Sequence, residues 1–254
     1  MTWDPAQYAK FADHRLRPAL DLLARIPTDA PASVVDLGCG TGNVTERLVE
    51  RWPNARVIGV DTSAEMLAEA RQRKRAIAWE QSDLGRWTAS APVDVLYSNA
   101  ALHWLGDHAA LFPRLLAQIS PTGVLAVQMP RNFGAPSHAI ARELASSSQW
   151  RAQLGDLVKP APVAEPGFYY DLLSGRVARL EIWETEYIQP LPGDRPVLEW
   201  IKGTWLRPFL DRLSSDDGAR FETQYAERAA AAYPRRGDGL TILPFRRLFI
   251  VAAR

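Results

Sequence analysis

The residues with the most chemical content lie in one run, Val34-Val35-Asp36-Leu37-Gly38-Cys39-Gly40-Thr41-Gly42-Asn43, and at Asp61 beyond it. Glycines at 38, 40 and 42 permit positive φ and let a ligand approach the backbone where a strand turns sharply into a helix. Arg56 to Val60 reads as a buried strand ending on Asp61, and Thr62 and Glu65 have the spacing of a capping box for a helix over 63–74. An acidic side chain about 20 residues past a glycine loop, at the carboxyl end of the next strand, is placed to accept from two ribose hydroxyls of an adenosine. A glycine-rich structural turn would explain the loop alone, but not the acid on the following strand.

Glycine spacing bears on which adenosine is bound. A dinucleotide fingerprint requires G-x-G-x-x-G, whose third glycine would fall at Asn43, whereas here it falls at Gly42. A nicotinamide dehydrogenase is weakened accordingly. Gly-x-Gly-x-Gly after a strand that carries an aspartate resembles the cofactor loop of class I S-adenosylmethionine-dependent methyltransferases, whose ligand offers an amino acid and a sulfonium in place of phosphates.

The chain has 254 residues and 47% hydrophobic content, enough for one substantial core or one core with an inserted cap. A net charge of +1 supplies no whole-molecule field for nucleic acid or an anionic membrane. Cys39 is the single cysteine, so an intramolecular disulfide is excluded, and Asp4, Lys10 and Asp13 interrupt any signal-like apolar run at the start. No stretch approaches the roughly 18 apolar residues of a membrane span. A soluble protein of the reducing cytoplasm, a monomer or weak dimer with a small-molecule substrate, is the expectation. Only four of the 30 basic residues are lysines, which genomic base composition can explain as readily as a demand for arginine forks on carboxylates.

Two short helices are expected over 4–26. Asp4 caps the first, Pro5 opens it, Trp3 and Tyr8 form its hydrophobic staple, and Pro18 begins the second. Tyr8, Phe11 and Arg15 share one helix face, which suits either packing or a lid over a cofactor. Further strands are expected at 76–80, 93–98, 123–128, 178–189 and 241–252, with helices near 111–119, 137–147, 167–174, 196–202, 205–213 and 216–232. Strands separated by helical segments argue an α/β sheet, mostly parallel and covered on both faces. Residues 130–176 break the alternation and, with 190–235, are expected to form a cap on a single domain spanning 1–254.

Ligands in such folds gather outside the strand carboxyl ends, which is where Asp83 and Asn99 fall. Asp83 is suited to an adenine amine or, equally, to capping the next turn, and Asn99 offers a donor and an acceptor. Methyl transfer from a sulfonium is an in-line displacement in which alignment can supply about 7–11 kcal/mol. A carboxylate nucleophile, ionised at neutral pH, needs no general base. An amine or phenol would, and His14 and His103 are the candidates, although a lone histidine is more often structural. Arg131, Tyr169, Tyr170, Trp200, Lys202 and Arg207 suit charge-assisted pairing to an anionic acceptor with aromatic walls, or else a solvated surface with buried tryptophans. No metal-ligand spacing is read.

A narrower resemblance follows from Trp3-Asp4-Pro5-x-x-Tyr8, the glycine loop, Ser98-Asn99-Ala100-Ala101-Leu102-His103-Trp104, Met129-Pro130-Arg131-Asn132, Lys202-Gly203-Thr204 with Leu206-Arg207-Pro208, and Leu243 to Val251. Together these resemble the trans-aconitate 2-methyltransferases nearly end to end. The resemblance implies a Rossmann-like seven-stranded sheet with an antiparallel last strand, a helical cap, and monomethyl esterification of a tricarboxylate with S-adenosylhomocysteine as by-product. It implies that Gly38 and Gly40 lie against the methionine part of the cofactor, that Asp61 binds the ribose, that Asp83 and Leu84 hold adenine, that Asn99 nears the sulfonium and that Arg15 pairs the cofactor carboxylate. Tyr8, Asp36 and Met66 complete the candidate cofactor set. Asn99, His103 and Trp104 are the positioning residues, and Trp104, Arg131, Tyr170, Trp200, Lys202 and Arg207 the acceptor set. Two positions depart from the family pattern: Thr41 where proline is common, and Trp205 where a small residue is usual, the latter adding bulk in the cap. The alternatives are a methyltransferase for another small anionic acceptor and a non-catalytic cofactor-binding sensor.

Overall fold

The computed structural model describes residues 12–73 and 75–254, with the side chains of residues 12–15 outside the description. Trp3, Asp4, Tyr8 and Phe11 therefore lie outside the described residues, as do the side chains of His14 and Arg15. The strands are β1 (Ser33–Leu37), β2 (Arg56–Asp61), β3 (Ile77–Gln81), β4 (Val93–Asn99), β5 (Ile119–Pro130), β6 (Arg179–Leu191) and β7 (Thr241–Ala253). They form one seven-stranded sheet in the order β3-β2-β1-β4-β5-β7-β6. The pairs β2–β3, β1–β2, β1–β4 and β4–β5 are parallel, and β7 runs antiparallel to β5. The chain order reverses direction between β1 and β4, the switch point at which such sheets bind ligands.

Apolar runs make the central strands. Val34 and Val35, Val57 and Val60, Val95 to Tyr97 and Val124 to Val127 are all buried, as strands covered on both faces require. The helices are α1 (Ala12–Ala24), α2 (Asn43–Arg51), α3 (Ala64–Ala70), α4 (His108–Leu116), α5 (Pro136–Ser146), α6 (Arg151–Leu154), α7 (Pro166–Leu173), α8 (Pro196–Lys202), α9 (Arg207–Leu210) and α10 (Ser215–Ala232).

Two local expectations are corrected. Pro18 lies inside α1 and does not begin a second helix. Buried Ala19, Leu22 and Leu23 hold this helix on the sheet, and the Tyr97 hydroxyl donates to the Ala19 carbonyl at 2.8 Å. The cap of α3 is Ser63, not Thr62: Ser63 Oγ accepts from Met66 N at 3.2 Å, and the helix ends at Ala70, short of 74.

The chain divides into two compact units. One comprises residues 15–130, 162–185 and 247–254 and holds most of the sheet; the other, among the described residues, comprises 12–14, 131–161 and 186–246. Residues 162–176, expected in the cap, group instead with the sheet unit because Tyr169 of α7 packs on His108 and Phe112 of α4. The second unit has its own core, built around Trp150, Leu198, Trp200, Phe209, Phe221 and Tyr225. Its polar groups are knitted together: the Tyr225 hydroxyl donates to Ser137 O at 2.9 Å, and Ser137 N donates to the Tyr233 hydroxyl at 3.0 Å.

Candidate active site

The glycine loop is held from beneath. Gly38 and Cys39 N–H both donate to the Val60 carbonyl, at 2.8 and 3.0 Å, which locks the end of β1 onto β2. Asp61, at the end of β2, accepts from Gly40 N through Oδ2 at 2.8 Å and from Ser63 N through Oδ1 at 2.9 Å. A carboxylate has about four lone-pair sites, so each oxygen retains capacity for a ligand hydroxyl. One side chain thus shapes the loop and keeps an acceptor edge.

The glycines differ in what they are for. A Cβ on Gly38, where φ is +88°, would collide with Ala101 Cβ and sit 3.4 Å from Leu84 Cδ1. A Cβ on Gly42 would meet Trp79 at 2.5 Å and Arg73 at 3.1 Å. Gly40, with φ +54°, has nothing among the described residues within 4 Å of an added Cβ. Gly38 and Gly42 admit neighbouring protein, and of the three loop glycines Gly40 is the one with open space beside it among the described residues.

Strand β4 supplies the opposite wall. Ser98 Oγ donates to the Leu37 carbonyl at 2.7 Å, tying β4 to the end of β1. Ala100 then adopts φ +52°, a left-handed conformation that costs a non-glycine residue about 1 kcal/mol or more. This turn brings Ala101 against Gly38 and leads into a 3₁₀ turn over Leu102–Trp104. Asn99 Oδ1 is buried and has no hydrogen-bond partner among the described residues. Behind the turn, His108 Nε2 donates to the Leu102 carbonyl at 3.1 Å, which fixes the tautomer, so Nδ1 accepts from the Tyr169 hydroxyl at 2.7 Å. Burial keeps the His108 pKa below its usual value.

The remaining cofactor candidates surround the same loop. Leu84 and Met66 are buried, and Leu84 reaches Gly38 as described. Asp83 Oδ1 accepts from Gly85 N at 2.8 Å, the capping role, while the side chain stays 62% exposed with Oδ2 4.0 Å from Arg86 Nε. Asp36 is buried beneath the loop, where Thr45 Oγ1 donates to it at 2.6 Å. Burial raises its pKa to about 7; the Thr45 hydrogen bond opposes this, and the nearby Asp61 charge adds to it.

Two arginines that the sequence did not single out fix this geometry. Arg73 donates from Nε to the Thr41 carbonyl at 2.5 Å and pairs with Glu46 at 2.5 Å and with the Asn43 side chain. Asn43, which breaks the dinucleotide spacing, is thereby an anchor for the loop. Arg114 donates to the carbonyls of Leu84, Gly85 and Trp87, at 3.3, 2.9 and 2.5 Å, and so holds the turn that presents Asp83 and Leu84. Neither follows a motif, because each contact joins residues about 30 positions apart.

The acceptor candidates fall in both units. In the sheet unit, Trp104 and Tyr170 are exposed, at 42% and 57%. His103 is buried and its ring lies 4.6 Å from that of Trp104. In the other unit, Arg131 follows β5 and its N–H donates to the Arg246 carbonyl at 2.9 Å. Trp200 is a core residue packed 5.8 Å from Phe245, Lys202 pairs with Glu222 at 2.7 Å, and Arg207 lies 3.6 Å from Asp211. Trp200 therefore acts as packing, and Lys202 has a resident carboxylate partner. Trp205 packs between His138 and Phe133, at 5.0 and 5.4 Å, and its buried Nε1 has no hydrogen-bond partner among the described residues.

These features fit an adenosyl amino acid: open space over Gly40, spare acceptor capacity on Asp61, an orphaned amide oxygen on Asn99 and apolar walls at Met66 and Leu84. Among the described residues no cluster of three or more His, Cys, Asp or Glu is placed to hold a metal ion, and no helix is long and apolar enough to cross a membrane.

Comparison with known proteins agrees. Residues 34–123 match the family described as methyltransferase domain. A trans-aconitate 2-methyltransferase of Azoarcus sp. (strain BH72) is 50% identical over 253 residues, covering 100% of this chain and 99% of the relative. One from Methylobacterium nodulans is 48% identical, covering 99% and 98%. Among solved structures, Haemonchus contortus phosphoethanolamine N-methyltransferase 2, in complex with phosphomonomethylethanolamine and S-adenosylhomocysteine, superposes with a TM-score of 0.55 at 16% identity. The match covers 93% of this chain and 52% of that one, and shows the shared fold.

Proposed function

The chain belongs to the trans-aconitate 2-methyltransferase family, and from that premise we propose that it forms the monomethyl ester of trans-aconitate or a similar small polycarboxylate, with S-adenosylmethionine as methyl donor. Full-length identity of 50% to a relative of that name is the observation that carries this reading. The bound cofactor supplies a methyl group on a positively charged sulfur, and a carboxylate oxygen bonds to that carbon as the carbon–sulfur bond breaks, with no proton moved.

The chain's own residues do the aligning. Gly40 leaves room for the methionine part, Asp61 accepts from the ribose hydroxyls, Asp83 and Leu84 hold adenine with Met66 in the same cofactor set, and Asn99 nears the sulfonium. Asp36, buried beneath the loop, is proposed with them as a support of the loop. Tyr8, Arg15 and Gly38 complete the proposed cofactor set. Arg131 and Arg207, with Trp104 and Tyr170 as aromatic walls, are proposed for the acceptor, because arginine forks match carboxylates. His103 positions the turn, and an ionised carboxylate asks no base of it. The absence of a resident metal, action in the cytoplasm and a monomeric or weakly dimeric state belong to the same proposal and rest on composition.

The test is S-adenosylhomocysteine release with trans-aconitate, cis-aconitate, isopropylmalate, citrate and malonyl thioesters. Turnover of trans-aconitate to a base-labile ester is expected. Turnover of a different acid in its place would move the substrate, and cofactor binding without turnover of any acid would favour the sensor reading.

A further inference from the structure

Beyond Asn99, the carboxyl end of the sheet carries a second orphaned amide. Gln128, on β5, is fully buried, and its Nε2 has no hydrogen-bond partner among the described residues. It stands directly opposite Asn99 in the parallel β4–β5 register, and its carbonyl accepts from Ala100 N at 2.9 Å, which ties it to the strained turn. Residues paired in register show their side chains on the same face. Asn99 Oδ1 and Gln128 Nε2 are therefore neighbouring, complementary and not bonded to each other.

The orientation of the Gln128 amide is imposed. Buried Arg247, on β7, donates from Nη1 to Gln128 Oε1 at 3.3 Å. A guanidinium can only donate, so the amide must turn its oxygen to Arg247 and its NH₂ away. Burying an amide donor without a partner is unfavourable, a cost that a leucine at this position would avoid. The strand order runs β1, β4, β5, β7, so the sheet end reads in sequence from the glycine loop to Asn99, then Gln128, then Arg247. The cofactor candidates occupy the β1 side of this row, and Gln128 lies on the other side of Asn99.

We propose that Gln128 is an acceptor-carboxylate ligand, its NH₂ donating to one oxygen of the carboxylate that is methylated, with Arg247 as the residue that positions the amide. This rests on the acceptor class proposed above. A neutral donor on one oxygen orients the group and takes less charge from the other oxygen than a guanidinium in direct contact would. One oxygen of the carboxylate then takes the methyl carbon and the other keeps its hydrogen bond to Gln128.

The test compares Gln128→Glu and Gln128→Met with the parent protein. Glutamate still accepts from Arg247 and so preserves that pairing, but replaces the donor with a negative charge. Trans-aconitate binding to the S-adenosylhomocysteine complex is titrated calorimetrically, alongside turnover, S-adenosylhomocysteine affinity and thermal melting. Acid affinity is expected to fall at least about 30-fold in Gln128→Glu and about 5–10-fold in Gln128→Met, with S-adenosylhomocysteine affinity within twofold of the parent. Arg247→Lys, which can still donate to Oε1, should retain most of the acid affinity that Arg247→Met loses, with the change in KM and not in kcat. Acid affinity unchanged in both Gln128 variants would mean that Nε2 meets only a buried water, and would overturn the proposal. A parallel loss of S-adenosylhomocysteine affinity would assign Gln128 to the cofactor and overturn it equally. If Gln128→Glu does not fold, Gln128→Met decides alone. A parent protein that neither binds nor turns over any of the acids would instead refute the acceptor class, a result distinct from a parent that binds acid and variants that bind it equally well.

Discussion

The sheet unit and the cap unit treat buried polar groups in opposite ways. At the strand ends of the sheet unit, polar capacity is left over: Asn99 Oδ1 and Gln128 Nε2 have no partner among the described residues, and Asp61 uses two of its lone pairs. In the cap, Asn132, Ser137, Tyr225, Tyr233 and the Arg246 N–H bond to one another in a closed network. Unspent capacity marks where a ligand is to be met, and spent capacity marks where a core is to be fixed. Trp205 Nε1 is an exception within the cap.

The largest effect separates two glycines of a single loop. Gly38→Ala should cost about 3 kcal/mol of stability or more, since the added Cβ collides with Ala101 and the residue keeps φ +88°. Gly40→Ala should melt within about 1 kcal/mol of the parent, the ordinary cost of an alanine at positive φ. It should nonetheless weaken S-adenosylhomocysteine binding by about 10-fold or more. Thermal melts and calorimetry on both variants check this, and equal destabilisation by the two would erase the distinction between a packing glycine and a ligand-facing one.

Asp61→Ala comes next. It strips the Gly40 and Ser63 N–H groups of a charged acceptor as well as removing the ribose contact, and charge-assisted hydrogen bonds are worth about 1.5–3 kcal/mol each. Cofactor affinity should fall about 100-fold, read by titration, while acid binding changes little. Cofactor affinity unchanged in this variant would remove Asp61 from the site.

Opposite treatment also predicts opposite pH behaviour. Asp36 in the sheet unit is raised from 3.8 to about 7, chiefly by burial, so between those values the folded state holds a proton that the unfolded chain has released. Its contribution therefore falls as pH rises from about 4 to 7 and is constant beyond. His138 in the cap is lowered from 6.5 to about 3, by burial first and then by Arg142, so there the unfolded chain holds the extra proton and stability rises with pH over that range. Between pH 5 and 6.5 each contribution changes by on the order of 2 kcal/mol, and the two nearly cancel. Denaturant titrations of single variants should expose them: Asp36→Asn should gain on the parent as pH rises, and His138→Gln should gain as pH falls. Variants whose stability difference from the parent is independent of pH would contradict the assignment.

How much of this was legible in the sequence follows the same divide. The loop, Asp61 and most of the central strands could be read because hydrophobic period and glycine spacing are local, and so their places along the chain were found within a residue or two, except that β5 begins at Ile119, four residues ahead of the expected start. Asp83 showed both of its possible roles in advance, and the structure displays the capping one. The supports Arg73, Arg114 and Gln128 could not be read, because each acts across strands or helices that only the folded topology brings together. In the cap, Trp200 and Lys202 looked like an aromatic wall and a free cation. Burial against Phe245 and pairing with Glu222 are tertiary facts with no sequence period. The break at Pro18 was misread for the complementary reason: proline is a strong local signal, but the buried face of α1 outweighs it.

The smallest predicted effect tests the exception. Trp205→Phe keeps an aromatic ring between His138 and Phe133 and deletes only the buried N–H and part of the ring. Removing a donor that has no partner costs the fold little, so the melting temperature should hold within a few degrees. If the indole N–H is unspent for the same reason as the amides at the sheet end, the acid KM should rise about three- to tenfold, with S-adenosylhomocysteine affinity unchanged. An unchanged KM would make the indole N–H a feature of core packing with no part in recognising the acid. A raised KM would place a hydrogen-bond donor for the acceptor inside that core and make bulk at position 205 a determinant of which acid is accepted.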